Sequence, residues 1–77
     1  MSTVEERVRK IISEQLAVPA GDIQGDHRLK DDLGADSLDS IEILMFLEND
    51  FEVSLDDEVA EQWKTVGDIY SYFEDME

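Results

Sequence analysis

The stretch LGADSL, Leu33–Leu38, joins a glycine-containing loop to a strongly amphipathic segment. Asp36 is a favourable N-cap residue, because its carboxylate can accept free N–H groups of a first helical turn. Asp39, one turn later, suits the positive end of the helix dipole. The pattern therefore predicts a helix that begins at Ser37 and runs to about Phe51.

Another amphipathic helix is predicted near the start of the chain. Thr3 and Glu6 have the spacing of a capping box, in which the threonine accepts a first-turn N–H and the glutamate reaches back. Apolar residues then recur at helical spacing over about residues 4 to 16. Pro19 ends this helix, and residues 17–36 form a long loop whose isolated apolar side chains we expect to reach the core.

The rest of the sequence indicates two more helices. A short one is capped by Ser54 or Asp56 and extends to Trp63. A last helix starts at Thr65, and its apolar stripe consists of Val66, Ile69, Tyr70 and Phe73. We therefore expect an all-α fold, a small four-helix bundle of three main helices and one short helix, with a long first loop.

Length and composition limit what the chain can be. Its 77 residues form a single domain, residues 1–77, with a core near the lower limit for independent folding. The absence of cysteine excludes disulfides and thiolate metal sites and fits a reducing compartment. The N-terminus has no apolar signal region, and no stretch reaches the roughly 18 apolar residues of a membrane span. We expect a cytoplasmic monomer without a specific metal site.

The charge is strongly acidic, with 21 Asp and Glu against 6 Lys and Arg and a formal net charge of −15. Between Lys30 and Lys64 there are twelve acidic residues and no basic one. Such a field repels nucleic acid and attracts proteins with basic patches. A solvated acidic surface that serves only solubility is the simpler interpretation of the same pattern.

The predicted helix over residues 37–51 is apolar on two opposite faces. At about 100° per residue, one face is a core stripe of Ile43, Leu44, Leu47 and Phe51. The opposite face carries Leu38, Ile41 and Met45, and it is bordered by Asp39, Glu42 and Glu48. Burying these carboxylates unpaired would be costly, so we expect an exposed docking surface with apolar anchors and steering carboxylates. A helix that is buried on all sides is the alternative.

Ser37 is predicted to be modified rather than catalytic. A serine nucleophile needs a base and an oxyanion hole, whereas the single histidine, His27, lies in a polar loop where we expect simple solvent exposure. A phosphate ester on Ser37 would be favoured by the free N–H groups and the dipole at a helix N-terminus. Asp36 could hold Mg²⁺ during attachment, and Gly34 permits a positive φ and the close approach of a modifying enzyme. We therefore expect a substrate of other enzymes, not an enzyme.

The segment LGADSLDS, Leu33–Ser40, resembles the phosphopantetheine attachment site of acyl carrier proteins, especially the free-standing bacterial kind. The likeness covers the whole chain, from Thr3–Val8 to Thr65–Asp68. It implies that Ser37 carries 4′-phosphopantetheine, transferred from coenzyme A by a Mg²⁺-dependent holo-synthase, a phosphopantetheinyl transferase. The thiol of the arm would hold acyl groups as thioesters, which explains how a chain without cysteine can do thiol chemistry.

The resemblance also implies partners and cargo. The chain would shuttle acyl intermediates between synthases, reductases and transferases of fatty acid, polyketide or specialised lipid biosynthesis, through weak and salt-sensitive contacts. Phe46 and Trp63 stand where the family usually has smaller or aliphatic residues. Together with Leu47 we expect them at the acyl pocket, where they either repack the core or narrow the pocket for a short or unusual acyl group.

Two other functions are open at this point. A peptidyl or aminoacyl carrier shares the fold and the arm but usually has a second glycine where Ala35 stands. An acidic interaction module, such as a nucleic-acid mimic, would need no special serine, so its function would survive Ser37→Ala. The sequence does not identify the pathway, the acyl group or the individual partner enzymes.

Overall fold

The computed structural model describes residues 3–76 and contains four α-helices in that range. In chain order they are α1 (Val4–Leu16), α2 (Ser37–Phe51), α3 (Asp57–Gln62) and α4 (Val66–Met76), with a 3₁₀ turn (Ala20–Asp22) between α1 and α2. Over this range the chain forms no β-strand beyond one isolated bridge, so the predicted all-α fold of three main helices and one short helix is confirmed. Met1, Ser2 and Glu77, which belong to the expected domain, lie outside the described residues.

The two long helices begin at the caps that the sequence predicts. The Thr3 hydroxyl accepts the N–H of Glu6 at 3.1 Å. At α2 the capping is reciprocal: the Asp36 carboxylate accepts the N–H of Asp39 at 2.8 Å, and the Asp39 carboxylate accepts the N–H of Asp36 at 3.2 Å. This capping box satisfies two N–H groups and defines the residue at which α2 begins.

The N-termini of α3 and α4 are capped differently. Asp56 occupies the N-cap position of α3, but its side chain makes no capping hydrogen bond. Before α4, the carboxylate of Asp68 accepts the N–H of Thr65 at 3.0 Å and that of Lys64 at 2.9 Å, and Thr65 Oγ1 accepts the N–H of Asp68 at 3.2 Å. The backbone hydrogen bonds to its carboxylate hold the pKa of Asp68 below its usual value, and the bond from Thr65 has a larger effect than the bond from Lys64.

The core lies between α1, α2 and α4, and α3 packs against α2. The whole predicted stripe of α4 is buried, as are three members of the predicted α2 core stripe, Ile43, Leu44 and Leu47. Phe51, the fourth member, is half-buried and stacks on Phe73 with ring centroids 4.1 Å apart. The periodicity of the sequence therefore predicts correctly which faces meet.

Backbone hydrogen bonds hold the long loop to the segment between α3 and α4. The N–H of Leu29 donates to the carbonyl of Lys64 at 3.0 Å, and the carbonyl of Leu29 accepts the N–H of Ala35 at 2.8 Å. The N–H of Gly67 donates to the carbonyl of Gly25 at 2.7 Å. Because the bonds to Lys64 and Gly67 link residues far apart in sequence, the loop is an integral part of the fold.

Isolated apolar residues of this loop reach the core as predicted. Ile23 and Leu29 are buried, and Val18 and Leu33 are half-buried against the core. Gly34, close to the end of the loop, has a φ of +75°, which favours glycine over residues with a side chain.

The contact between Gly25 and Gly67 generates a stability prediction. A Cβ atom at residue 67 would lie 2.9 Å from the carbonyl oxygen of Gly25, a backbone atom that cannot move freely. Gly67→Ala gains about 1 kcal/mol of helix propensity but overpacks this contact, which typically costs about 1–3 kcal/mol. We expect a net loss of unfolding free energy, measured by urea denaturation.

Gly21→Ala is the matched control, because a Cβ atom there meets no atom within 4 Å. It should leave the urea midpoint unchanged or slightly raised. Equal stability of the two variants would contradict the importance of the contact between Gly25 and Gly67.

Candidate functional site

Ser37 is exposed as the first residue of α2, directly after the Asp36 cap. Its position follows from the capping box, because Asp36 and Asp39 together fix where the helix starts. The N–H groups of Ser37 and Leu38 lie in the first turn and therefore have no intrahelical acceptor. An anionic group bound to the Ser37 oxygen would thus meet the positive end of the α2 dipole.

A cleft of about 880 Å³ opens beside Ser37, between α2 and α3. Its apolar lining consists of Leu29, Ile41, Leu44, Ala60 and Trp63. Its basic lining consists of Arg28, Lys30 and Lys64, and its acidic lining of Asp31, Asp57, Glu61 and Asp68. The volume is in the range of small-molecule sites, so the cleft is large enough for a flexible arm attached to Ser37.

The three residues expected at an acyl pocket do not meet in this cleft. Trp63 lines it, whereas Leu47 is fully buried in the core. Phe46 is 52% exposed and does not line the cleft, so its role at an acyl pocket stays a prediction. Helical geometry explains its position: Phe46 lies about 140° around α2 from Ile41, which lines the cleft, and so faces another direction.

The apolar residues expected on the outer face of α2 are exposed. Leu38 is 62% exposed, Ile41 47% and Met45 60%. The alternative of a helix buried on all sides is therefore excluded for these positions. We refer to Leu38, Ile41 and Met45 as the outer strip.

Two of the three carboxylates expected beside the outer strip are linked to α1. Gln15 Nε2 donates to Asp39 Oδ1 at 3.3 Å and also to Glu42 Oε2. Because the amide is uncharged, it orients both carboxylates without neutralising them. The negative field beside the outer strip is therefore preserved.

The third carboxylate, that of Glu48, has a structural contact that was not expected, while its predicted role in partner binding stays a prediction. Its Oε2 accepts the N–H of Leu55 at 2.9 Å in a half-buried setting, so Glu48 holds the loop between α2 and α3. The chain turns back after α2, which the periodicity of the helix alone does not reveal.

Arg7 is a structural residue that the sequence patterns did not single out. Its guanidinium bonds the Asp50 carboxylate at 2.8 Å and lies 3.9 Å from the centroid of the Phe51 ring. This contact ties the start of α1 to the end of α2. Only the packing of the two helices could reveal it, since the residues are more than 40 positions apart.

His27 does not supply a base for Ser37. It is half-buried rather than simply exposed as expected, its Nδ1 accepts the N–H of Gln24 at 3.1 Å, and it does not line the cleft beside Ser37. Within residues 3–76, no group of three or more metal-ligating side chains is placed to hold a metal ion. No helix in the same range is long and apolar enough to cross a membrane.

Comparison with known proteins identifies the family. Residues 6–73 match the family model of the phosphopantetheine attachment site, so 4′-phosphopantetheine is the cofactor. The fold is similar to that of a Mycobacterium tuberculosis protein described as an acyl carrier protein, with a TM-score of 0.88 and 31% sequence identity. That similarity covers 97% of this chain and 100% of the mycobacterial chain. The chain therefore belongs to the phosphopantetheine-attachment family, as an acyl carrier protein.

Proposed function

We propose that this chain carries acyl intermediates as thioesters on a 4′-phosphopantetheine arm attached to Ser37. It would shuttle them between enzymes of fatty acid, polyketide or specialised lipid biosynthesis, as a monomer in the cytoplasm. The observation that carries the proposal is the exposed hydroxyl of Ser37, at the N-terminus of α2 and beside a large cleft. The arm supplies the thiol that the chain lacks.

Attachment forms one bond and breaks one. The Ser37 oxygen bonds to the phosphorus that carries the pantetheine in coenzyme A, the 3′,5′-ADP portion leaves, and the serine proton passes to a base of the transferase. Asp36 uses Oδ1 for the cap, so its Oδ2 could help to hold Mg²⁺, which would supply positive charge to the phosphate during attachment. The first-turn N–H groups of α2 then favour the anionic phosphodiester.

The outer strip and its neighbouring carboxylates fit partners with basic docking patches. Asp39 and Glu42 supply long-range attraction, while Leu38, Ile41 and Met45 supply exposed apolar contact area. The partners we expect are the holo-synthase and the synthases, reductases and transferases that process acyl chains. The acidic field supports fatty acyl or polyketide service over peptidyl or aminoacyl transfer, in line with alanine rather than glycine at residue 35.

The attachment residue is tested by intact mass after incubation with coenzyme A, Mg²⁺ and a broad-specificity phosphopantetheinyl transferase. We expect the wild type to gain one phosphopantetheine and Ser37→Ala to gain none. Ser40→Ala is the matched control, because it removes a hydroxyl one turn further along α2. Absence of a gain on folded wild type, or a gain on Ser37→Ala, would contradict the proposal.

The outer strip is tested by the kinetics of the same transferase. Met45 lies two turns from Ser37, so Met45→Ala removes apolar docking area without touching the reacting atoms. We expect at least about a fivefold rise in KM, which corresponds to about 1 kcal/mol, with kcat unchanged.

Met76→Ala is the control for the outer strip, since Met76 is equally apolar and half exposed but lies at the end of α4. Its KM should match that of the wild type. If Met45→Ala and Met76→Ala gave the same KM, the strip would not be the docking surface for this enzyme.

A further inference from the structure

The cations of this acidic chain are unevenly placed. Of its six Lys and Arg residues, three lie on α1 and the other three line the cleft beside Ser37. Those three are Arg28, Lys30 and Lys64. The cleft therefore holds half of the cations, beside four carboxylates, on a chain with a net charge of −15.

The backbone brings these cations together. Lys64 and Leu29 are joined by a hydrogen bond of 3.0 Å, and Leu29 and Ala35 by one of 2.8 Å. Arg28 and Thr65 form an antiparallel bridge beside them. Because Ala35 is two residues before Ser37, three stretches of chain are held side by side around one cleft. Two lysines and the serine hydroxyl consequently face the same space.

Two of the three cations are free to bind an anion. Arg28 pairs with Asp31 at 3.4 Å through largely exposed side chains, so this pair contributes little. Lys30 and Lys64 make no ion pair with any residue from 3 to 76.

The acidic lining residues form no ion pair with the two lysines, although the charge of Lys64 contributes to the lowered pKa of Asp68. Asp68 uses its carboxylate to accept the N–H groups of Lys64 and Thr65, while Asp57 and Glu61 belong to α3 on the opposite wall. The wall formed by the loop, the linker and the start of α4 carries three cations and the carboxylates of Asp31 and Asp68, whereas the charged residues of the α3 wall are all acidic. An anion is therefore favoured at the loop wall.

Trp63, which lines the cleft, packs against two aromatic rings of α4. Its ring packs 5.7 Å from that of Tyr72 and 6.0 Å from that of Phe73, measured between centroids. Tyr72 and Phe73 do not line the cleft themselves. In the open cleft near the lysines, a charged end is better solvated than a long alkyl chain.

We propose that Lys30 and Lys64 form a subsite for an anionic oxygen group brought by the arm on Ser37. This subsite rests on the proposed function. The anion is either the phosphodiester of the arm or a carboxylate at the end of a short acyl cargo, since a lysine ammonium binds both as a point charge. In the second case the cargo class is a short dicarboxylic acyl group.

The test compares the thermal stability of apo, holo, malonyl and butyryl forms, loaded directly from the corresponding coenzyme A compounds at low salt. Malonyl and butyryl groups are similar in size, but only malonyl ends in a carboxylate. Each form is made in the wild type, in Lys30→Gln and in Lys64→Gln. Lys10→Gln is the matched control, because it removes the same charge from an exposed position on α1.

If the anion is the phosphodiester of the arm, loading should raise the Tm of the holo, malonyl and butyryl forms by a few degrees. Either Lys30→Gln or Lys64→Gln should then abolish this rise. If the anion is the carboxylate of the cargo, the malonyl form should have a higher Tm than the butyryl form. Either Lys30→Gln or Lys64→Gln should then remove this difference. Lys10→Gln should behave as the wild type in both cases.

The subsite is overturned if loading changes the Tm equally in Lys30→Gln, Lys64→Gln and Lys10→Gln. Loading itself is read separately by intact mass. A wild type that does not load overturns the proposed function and the subsite together, whereas loaded protein without lysine dependence overturns the subsite alone.

Discussion

The backbone of Leu29 makes two hydrogen bonds, one to the distant linker before α4 and one to the end of its own loop. Its N–H donates to Lys64 at 3.0 Å, its carbonyl accepts from Ala35 at 2.8 Å, and its side chain is buried in the core. Without these bonds, residues 17–36 would be a long tether with many accessible conformations. With them, the loop delivers Asp36 to the start of α2, and the capping box can fix the position of Ser37.

The same arrangement brings cations next to the serine of an acidic molecule. The charged residues on the α3 wall of the cleft are acidic, whereas the loop and its neighbouring linker bring Arg28, Lys30 and Lys64 to the other wall. Gln15 orients Asp39 and Glu42 while leaving their charge intact. Repulsion among the carboxylates lowers the stability of the fold, but the same carboxylates produce the field that attracts basic partners. A bound basic partner reduces the repulsion.

The sequence predicts well what depends on neighbouring residues. The caps at Thr3 and Asp36, the bounds of α1 and α2, and the stripe of α4 all follow from spacings within one helix. Exposure of the outer strip also follows, because acidic neighbours make burial costly. Gly34 adopts its positive φ for a similarly local reason.

What the sequence missed depends on contacts between distant segments. Phe46 faces away from the cleft, Glu48 turns to Leu55, and His27 is half-buried in the folded loop. The pairing of Arg7 with Asp50 and the meeting of Lys30 with Lys64 require the packed fold. No periodicity or capping rule contains that information, since both describe a single element at a time.

The central claim is that the long loop belongs to the cooperative fold and thereby positions Ser37. Native-state hydrogen exchange at the amides of Leu29 and Ala35 tests it most directly, with the amide of Phe73 in α4 as the reference for global opening. We predict that all three amides exchange with the same free energy of opening. Much faster exchange at Leu29 and Ala35 than at Phe73 would mean that the loop opens independently, and it would contradict this account of how the serine is placed.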